Sequence, residues 1–102
     1  MQQKDYARAV SHGQAAIYAD MESPETHALY ARALAGVGQV EPARFEFESA
    51  IVCPAAPERL AVAHLDYADF LAARGQTREA SAQREQARAK DPNNPRLGTA
   101  TP

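Results

Sequence analysis

This chain of 102 residues has little of several features on which particular folds and locations depend. Its one cysteine, Cys53, excludes an internal disulfide and any multi-cysteine metal site, and it fits a reducing compartment. No apolar run approaches the roughly 20 residues of a membrane span. The N-terminal stretch MQQKDYARAV has no apolar signal core. We therefore expect a soluble, cytoplasmic protein with no membrane contact through this segment.

An excess of charge of either sign is also missing. The 11 Lys and Arg residues nearly balance the 13 Asp and Glu residues, for a net charge of −2. Nucleic acids and anionic membranes are bound by basic patches, so neither is an expected partner. The chain has no phosphate-binding glycine loop, no nucleophile elbow and no zincin motif. We therefore expect no cofactor and no catalytic activity.

What the chain does have is alanine, together with apolar residues spaced three and four apart, which is typical of amphipathic helices. Proline and glycine separate these periodic segments. Tryptophan is absent and runs of β-branched residues are missing, so strands are not expected. The pattern predicts an all-α fold of five helices: about Gln2–Ala19, Pro24–Ala35, Glu41–Val52, Pro57–Arg74 and Arg78–Lys90.

The predicted helices recur in pairs. HALYARAL, which begins at His27, and HLDYADFL, which begins at His64, share the pattern His-x-x-Tyr-Ala-x-x-Leu and start 37 positions apart. The Gly-Gln pairs at Gly38 and Gly75 are separated by the same 37 positions. An alanine follows five residues after each of these glycines. A recurrence of this length predicts a repeated helix-pair unit.

These residues resemble the tetratricopeptide repeat, whose unit is a pair of antiparallel helices of about 34 residues. The resemblance rests on Tyr-Ala-x-x-Leu in both first helices, on Ala43 with Phe47 in a second helix, and on the linker DPNN with Pro92. It implies an antiparallel helix-pair solenoid of about two and a half repeats over residues 1–92. Residues 93–102 would be a C-terminal tail, which we expect to be frayed because it has no periodicity.

In this family the first helix of each repeat lines a concave face that binds a protein or peptide. The resemblance therefore implies a protein–protein interaction module or scaffold. Asp66 and Asp69 would favour a basic or apolar peptide, unless they are only solvated helix charges. The Lys, Arg and Asn set with which some members hold a terminal carboxylate is not present. The implied partner-binding residues are Glu25, Ala28, Arg32, Val62, Leu65, Asp66 and Asp69, with Ala35 and Ala72 on the same faces.

Three further predictions concern the histidines, the cysteine and the N-terminal helix. His27 and His64 replace the family's aromatic residue, and a joint metal site is not expected because stacked helices lie about 8–10 Å apart. Cys53 has no evident activating base, so we expect a small structural residue. The incomplete first repeat leaves Tyr6, Val10 and Ile17 with one neighbouring helix. A homodimer formed through this N-terminal helix is the alternative function. An upstream domain of a longer protein would cover the same surface, or the helix would turn its apolar side inward and leave mostly alanine outside.

Overall fold

The structure is a computed structural model that describes residues 23–98. These residues contain no strand, which confirms the all-α prediction for this part of the chain. They form four α-helices and one short 3-10 helix: α1 Pro24–Gly36, α2 Val40–Ile51, α3 Pro57–Ala73, α4 Thr77–Lys90 and η1 Pro95–Leu97. The first predicted helix, about Gln2–Ala19, lies outside the described residues, so the helix count here is four and not five.

Helix α1 begins as the sequence predicts. The Ser23 hydroxyl accepts a hydrogen bond of 3.3 Å from the backbone N–H of Thr26, and Pro24 occupies the first turn. Helix α3 also carries its proline, Pro57, in the first turn. Proline fits there because its missing N–H would have no partner inside the helix. Both helices that open a predicted repeat therefore start at a proline.

The two helix pairs end their first helices with the same backbone turn. Gly38 and Gly75 have φ of 85° and 81°, a conformation that residues with a side chain rarely adopt. The next residue in each case, Gln39 or Gln76, donates its N–H to a leucine carbonyl five residues earlier, at 2.9 Å. This is the Schellman arrangement, and it reverses the chain in the same way twice. The 37-residue recurrence therefore corresponds to a repeated αα-hairpin.

Small residues lie where the helices approach most closely. Ala31, Ala43, Ala68 and Ala80 are all buried, as their positions in the repeated pattern predict. Larger side chains fill the remaining space, and Phe47 and Leu71 are almost fully enclosed. Because alanine has no side chain beyond Cβ, paired helices can pack at short interaxial distance. The hairpin interiors are therefore built from alanine with a few large residues.

Three aromatic rings join the first hairpin to the second. Phe47 of α2 stacks on Tyr67 of α3 with ring centroids 5.6 Å apart, and Phe70 lies 5.1 Å from Phe47. The Tyr67 hydroxyl donates to Glu48 Oε2 at 3.0 Å, so its polar end is satisfied at the edge of the cluster. Phe47 and Tyr67 therefore connect the two hairpins, and Leu71 belongs to the same buried cluster.

Each hairpin also contains one buried histidine bonded to its second helix. His27 Nδ1 lies 2.7 Å from Glu46 Oε1, and His64 Nδ1 lies 2.7 Å from Gln83 Oε1. Both acceptors are oxygens, so Nδ1 carries the proton in each case. Burial lowers the pKa of His64, and Lys90 adds to this effect, whereas the bond to Gln83 opposes it. Among residues 23–98 no group of histidine, cysteine and carboxylate side chains is arranged to hold a metal ion.

Leu71→Ala should lower the free energy of unfolding by about 2–5 kcal/mol, because it leaves a cavity in the main cluster. Val62→Ala is the matched truncation at a side chain that is 37% exposed. It should cost about 1 kcal/mol or less. Urea denaturation followed by circular dichroism measures both. Equal losses would mean that Leu71 and Val62 are not distinguished by burial as described.

The His64 pKa should lie below 6.5, the ordinary value for histidine, because burial disfavours its charged form. The unfolded chain then binds this proton more tightly, so stability should fall as the pH drops below 6.5. Gln83→Glu copies the His27–Glu46 pair and should raise the His64 pKa in an NMR titration. Gln86→Glu adds the same charge at an exposed site and should change it much less. An unchanged pKa in Gln83→Glu would contradict the described contact.

Candidate functional site: a groove between the first helices of the two hairpins

A groove of about 730 Å³ lies between α1 and α3, which are the first helices of the two hairpins. Its apolar lining includes Leu29 of α1, Phe47 of α2, and Phe70 and Ala73 of α3. Leu29 is 55% exposed, although it is a large aliphatic residue in the middle of a helix. An exposed leucine next to two aromatic residues gives the groove an open apolar surface. We call this feature the α1–α3 groove.

The two walls of the α1–α3 groove differ in charge. Arg32 stands on the α1 wall, and Asp66 and Asp69 stand on the α3 wall. Both carboxylates are paired with Arg96: Nη1 lies 2.7 Å from Asp66 Oδ1 and Nη2 lies 2.8 Å from Asp69 Oδ2. Within residues 23–98, Arg32 is exposed and has no ion pair. Of the four charged side chains that line the groove, Arg32 is therefore the one without an ion pair within the described part of the chain.

Arg96 reaches the groove because the chain turns back after α4. Asn94 caps η1 by accepting a hydrogen bond of 2.9 Å from the N–H of Arg96. Arg84 Nη2 donates to the Arg96 carbonyl at 3.2 Å. Burial opposes the charge of Arg96, but the hydrogen bonds to Asp66 and Asp69 outweigh it and raise the Arg96 pKa. We call residues 94–97 the C-terminal clasp.

The C-terminal clasp is anchored by one apolar side chain. Leu97 is 8% exposed and packs in a second cluster with Ala61, Leu65 and Ala87. Leu65 of this cluster is fully buried, and Leu97 is the member contributed by the clasp. The expectation of a frayed tail after Pro92 is therefore wrong for residues 94–97. The sequence showed no periodicity there because a single turn and one leucine are too short to produce any.

The structure brings three of the seven predicted partner-binding residues into the groove: Arg32, Asp66 and Asp69. Ala28 is buried in the main cluster, and Leu65 is covered by Leu97. Val62 is partly exposed but does not line the groove. The prediction placed all its partner-binding positions of a helix on one stripe. In the structure, neighbouring positions of that stripe face different surroundings.

Glu25, the remaining predicted residue, forms an ion pair between the starts of α1 and α3. Arg59 donates from Nε to Glu25 Oε2 at 2.8 Å and from Nη2 to Oε1 at 2.7 Å. These hydrogen bonds lower the pKa of Glu25 to about 2. Both side chains are about half exposed, so solvent weakens the pair and its contribution to stability is small. Glu25 is engaged within the chain and lies outside the groove lining.

Sequence reasoning missed Leu29, Phe70 and Arg96 as groove residues. Leu29 and Phe70 fit the apolar periodicity of their helices, which does not distinguish a core position from a groove position. Phe70 does belong to the main cluster, yet its edge reaches the groove. For Arg96 the available signal was Pro95, which follows Asn94 as a proline follows a helix cap. The ion pairs of Arg96 span 30 and 27 positions along the chain, which local patterns do not reveal.

No protein-family model, curated protein or solved structure matches this chain. None of the helices described here is long and apolar enough to cross a membrane. Cys53 is buried, and its thiol donates to the Ser49 carbonyl at 3.4 Å. The functional assignment therefore depends on the groove and its side chains.

Leu97→Ala should lower the free energy of unfolding by about 2 kcal/mol, at the low end for a buried leucine because its cluster is small. Leu29→Ala removes the same atoms from an exposed position and should change stability by no more than about 0.5 kcal/mol. Thermal unfolding of the two variants beside the unmodified chain measures the difference. Identical melting temperatures for both variants would show that the clasp is not packed.

Proposed function

We propose that this chain is a protein–protein interaction module of the tetratricopeptide type, which binds a peptide segment of its partner in the α1–α3 groove. The proposal is supported by a sequence pattern that recurs after 37 positions. It is also supported by the two hairpins, which have the same type of turn and buried alanines at equivalent positions. In the family, the first helices form the binding face. The groove described here lies between two such helices.

The groove has a size and a chemistry suited to a few side chains of a peptide. Its volume of about 730 Å³ is typical of ligand pockets. Leu29 and Phe70 offer apolar surface to an aliphatic or aromatic side chain. Removing such a side chain from water is favourable by about 25 cal/mol for each Å² buried. Apolar contact would supply affinity, and the charged walls would supply selectivity.

The charge of the groove favours a carboxylate on the peptide. Asp66 and Asp69 were expected to attract a basic side chain, but both are engaged by Arg96. Arg32 is the charged side chain of the groove that has no partner among residues 23–98. A carboxylate bound to a guanidinium forms a charge-assisted hydrogen bond, often through two parallel N–H donors. The preferred occupant is therefore a peptide with an acidic residue beside apolar residues.

The groove offers binding groups but no nucleophile beside a base, so binding is the chemistry that it supports best. The alternative of self-association depends on Tyr6, Val10 and Ile17, which lie outside the described residues. That alternative stays a prediction, as does the cytoplasmic location.

Selection from a random-peptide library on the immobilised chain tests this proposal. The enriched peptides should carry Asp or Glu next to Leu, Ile, Val or Phe. Fluorescence anisotropy should then show at least about tenfold weaker binding of the best peptide to Arg32→Glu, because the attraction becomes a repulsion. Leu29→Ala should also weaken the binding of this peptide, because an apolar contact is lost.

Arg78→Glu is the matched control, since it reverses the charge of an exposed arginine on α4 outside the groove. It should leave peptide affinity within about twofold of the unmodified chain. Binding that resists both Arg32→Glu and Leu29→Ala would place the peptide elsewhere and refute the proposed site. A selection that returns no peptide at all would refute the proposed function.

A further inference from the structure

Asp66 and Asp69 form a pair of carboxylates that already holds a cation. They lie one helical turn apart on α3, where side chains share a face. A single guanidinium bridges them, with Arg96 Nη1 on Asp66 and Nη2 on Asp69. The Asp66 side chain is only 14% exposed, so it depends on Arg96 more than Asp69, which is 67% exposed. The α3 wall is thus a guanidinium site filled by the chain itself.

Removing Arg96 from the pair would change the net charge of the groove lining from zero to −1, because Arg32 and Arg96 together balance Asp66 and Asp69. With the clasp docked, both carboxylates are paired with one guanidinium, and the charges of Arg32, Arg96, Asp66 and Asp69 sum to zero; Arg32 is the one of these four that has no ion pair among residues 23–98. With the clasp released, the wall carries two uncompensated carboxylates, and the negative charges outnumber Arg32. Like charges one turn apart also repel each other, so the pair would favour a new cation.

The C-terminal clasp can leave without dismantling the hairpins. None of its residues belongs to the main cluster that holds Phe47, Tyr67 and Leu71. Its own anchor is Leu97 in the smaller cluster, supported by the Asn94 cap and one bond from Arg84. Short peripheral elements with few buried contacts open at a lower free energy than the whole domain.

We infer that the C-terminal clasp sets the charge preference of the α1–α3 groove. Docked, it leaves Arg32 as the selecting charge, and the groove takes peptides that carry a carboxylate. Released, it uncovers Asp66 and Asp69, and the groove takes peptides that carry Arg or Lys beside apolar residues. This inference rests on the proposed peptide-binding function and adds its regulation.

Parallel library selections on the unmodified chain and on Arg96→Ala test the inference. Arg96→Ala frees both carboxylates and leaves Leu97 to anchor the segment. The unmodified chain should enrich acidic peptides, and the variant should enrich peptides with Arg or Lys. For a synthetic peptide pair that differs only in Glu against Arg, the ratio of the two affinities should shift by at least about tenfold between the proteins.

Two further variants test whether Asp66 and Asp69 bind the basic peptides and whether the loss of another arginine has the same effect. Adding Asp66→Asn and Asp69→Asn to Arg96→Ala should abolish the preference for basic peptides, because the cation site is gone. Arg88→Ala removes an exposed arginine of α4 that pairs with Glu85 and should keep the preference for acidic peptides. Circular dichroism reports whether each variant is folded, and Arg96→Gln replaces Arg96→Ala if the alanine variant is not.

The outcomes distinguish this inference from the proposed function. If both proteins select the same acidic peptides, the clasp does not control charge preference, and the inference is overturned while peptide binding stands. If neither protein selects a peptide whose binding depends on Leu29, the proposed function itself fails. Basic peptides that bind the triple variant as tightly as Arg96→Ala would also overturn the inference, because Asp66 and Asp69 would not be the site.

Discussion

Phe47 is the side chain on which the arrangement of the two hairpins depends. It projects from α2, stacks on Tyr67 and contacts Phe70, both on α3. It is about 1% exposed and also contributes to the lining of the groove. A buried contact between the two hairpins therefore also forms part of the groove. Aromatic pairs with offset or tilted rings favour a defined geometry beyond the area that they bury. A smaller residue here would loosen the hairpin joint and the groove together.

Much of the fold was predictable because short local sequence signals mark the helix ends, and the same signals occur in both hairpins. Gly38 and Gly75 end helices through a backbone conformation that glycine tolerates best, and Ser23 with Pro24 marks a helix start. The buried alanines recur at fixed distances from these glycines. All four helices predicted within residues 23–98 are present, each within a few residues of its predicted bounds. Periodicity alone does not say which helix faces which, and the stacking of Phe47 on Tyr67 supplies that information.

The candidate site was less predictable because it depends on pairings between distant residues. Periodicity separates apolar from polar positions, but Leu29 and Leu34 have the same hydrophobicity and opposite burial, at 55% and 3% exposure. Asp66 and Asp69 were placed correctly on one helix face, yet their partner Arg96 was assigned to a frayed tail. The same limit applies to the histidines. His27 and His64 occupy equivalent places, but Glu46 offers a charged acceptor and Gln83 a neutral one, so the repeat preserves geometry and not charge.

In the proposed peptide-binding function, the C-terminal clasp would link the stability of the second hairpin to the selectivity of the groove. Leu97 packs on Leu65, and the neighbouring Arg96 pairs with both carboxylates of the α3 wall, so both effects come from one short segment. A ligand shifts such an equilibrium only by its different affinity for the docked and released states. A carboxylate that binds Arg32 does not need the clasp to move. A guanidinium must displace Arg96, which is tethered at an effective concentration on the order of millimolar. Under the proposed function, the docked clasp would therefore exclude basic peptides more strongly than the charge of Arg32 alone.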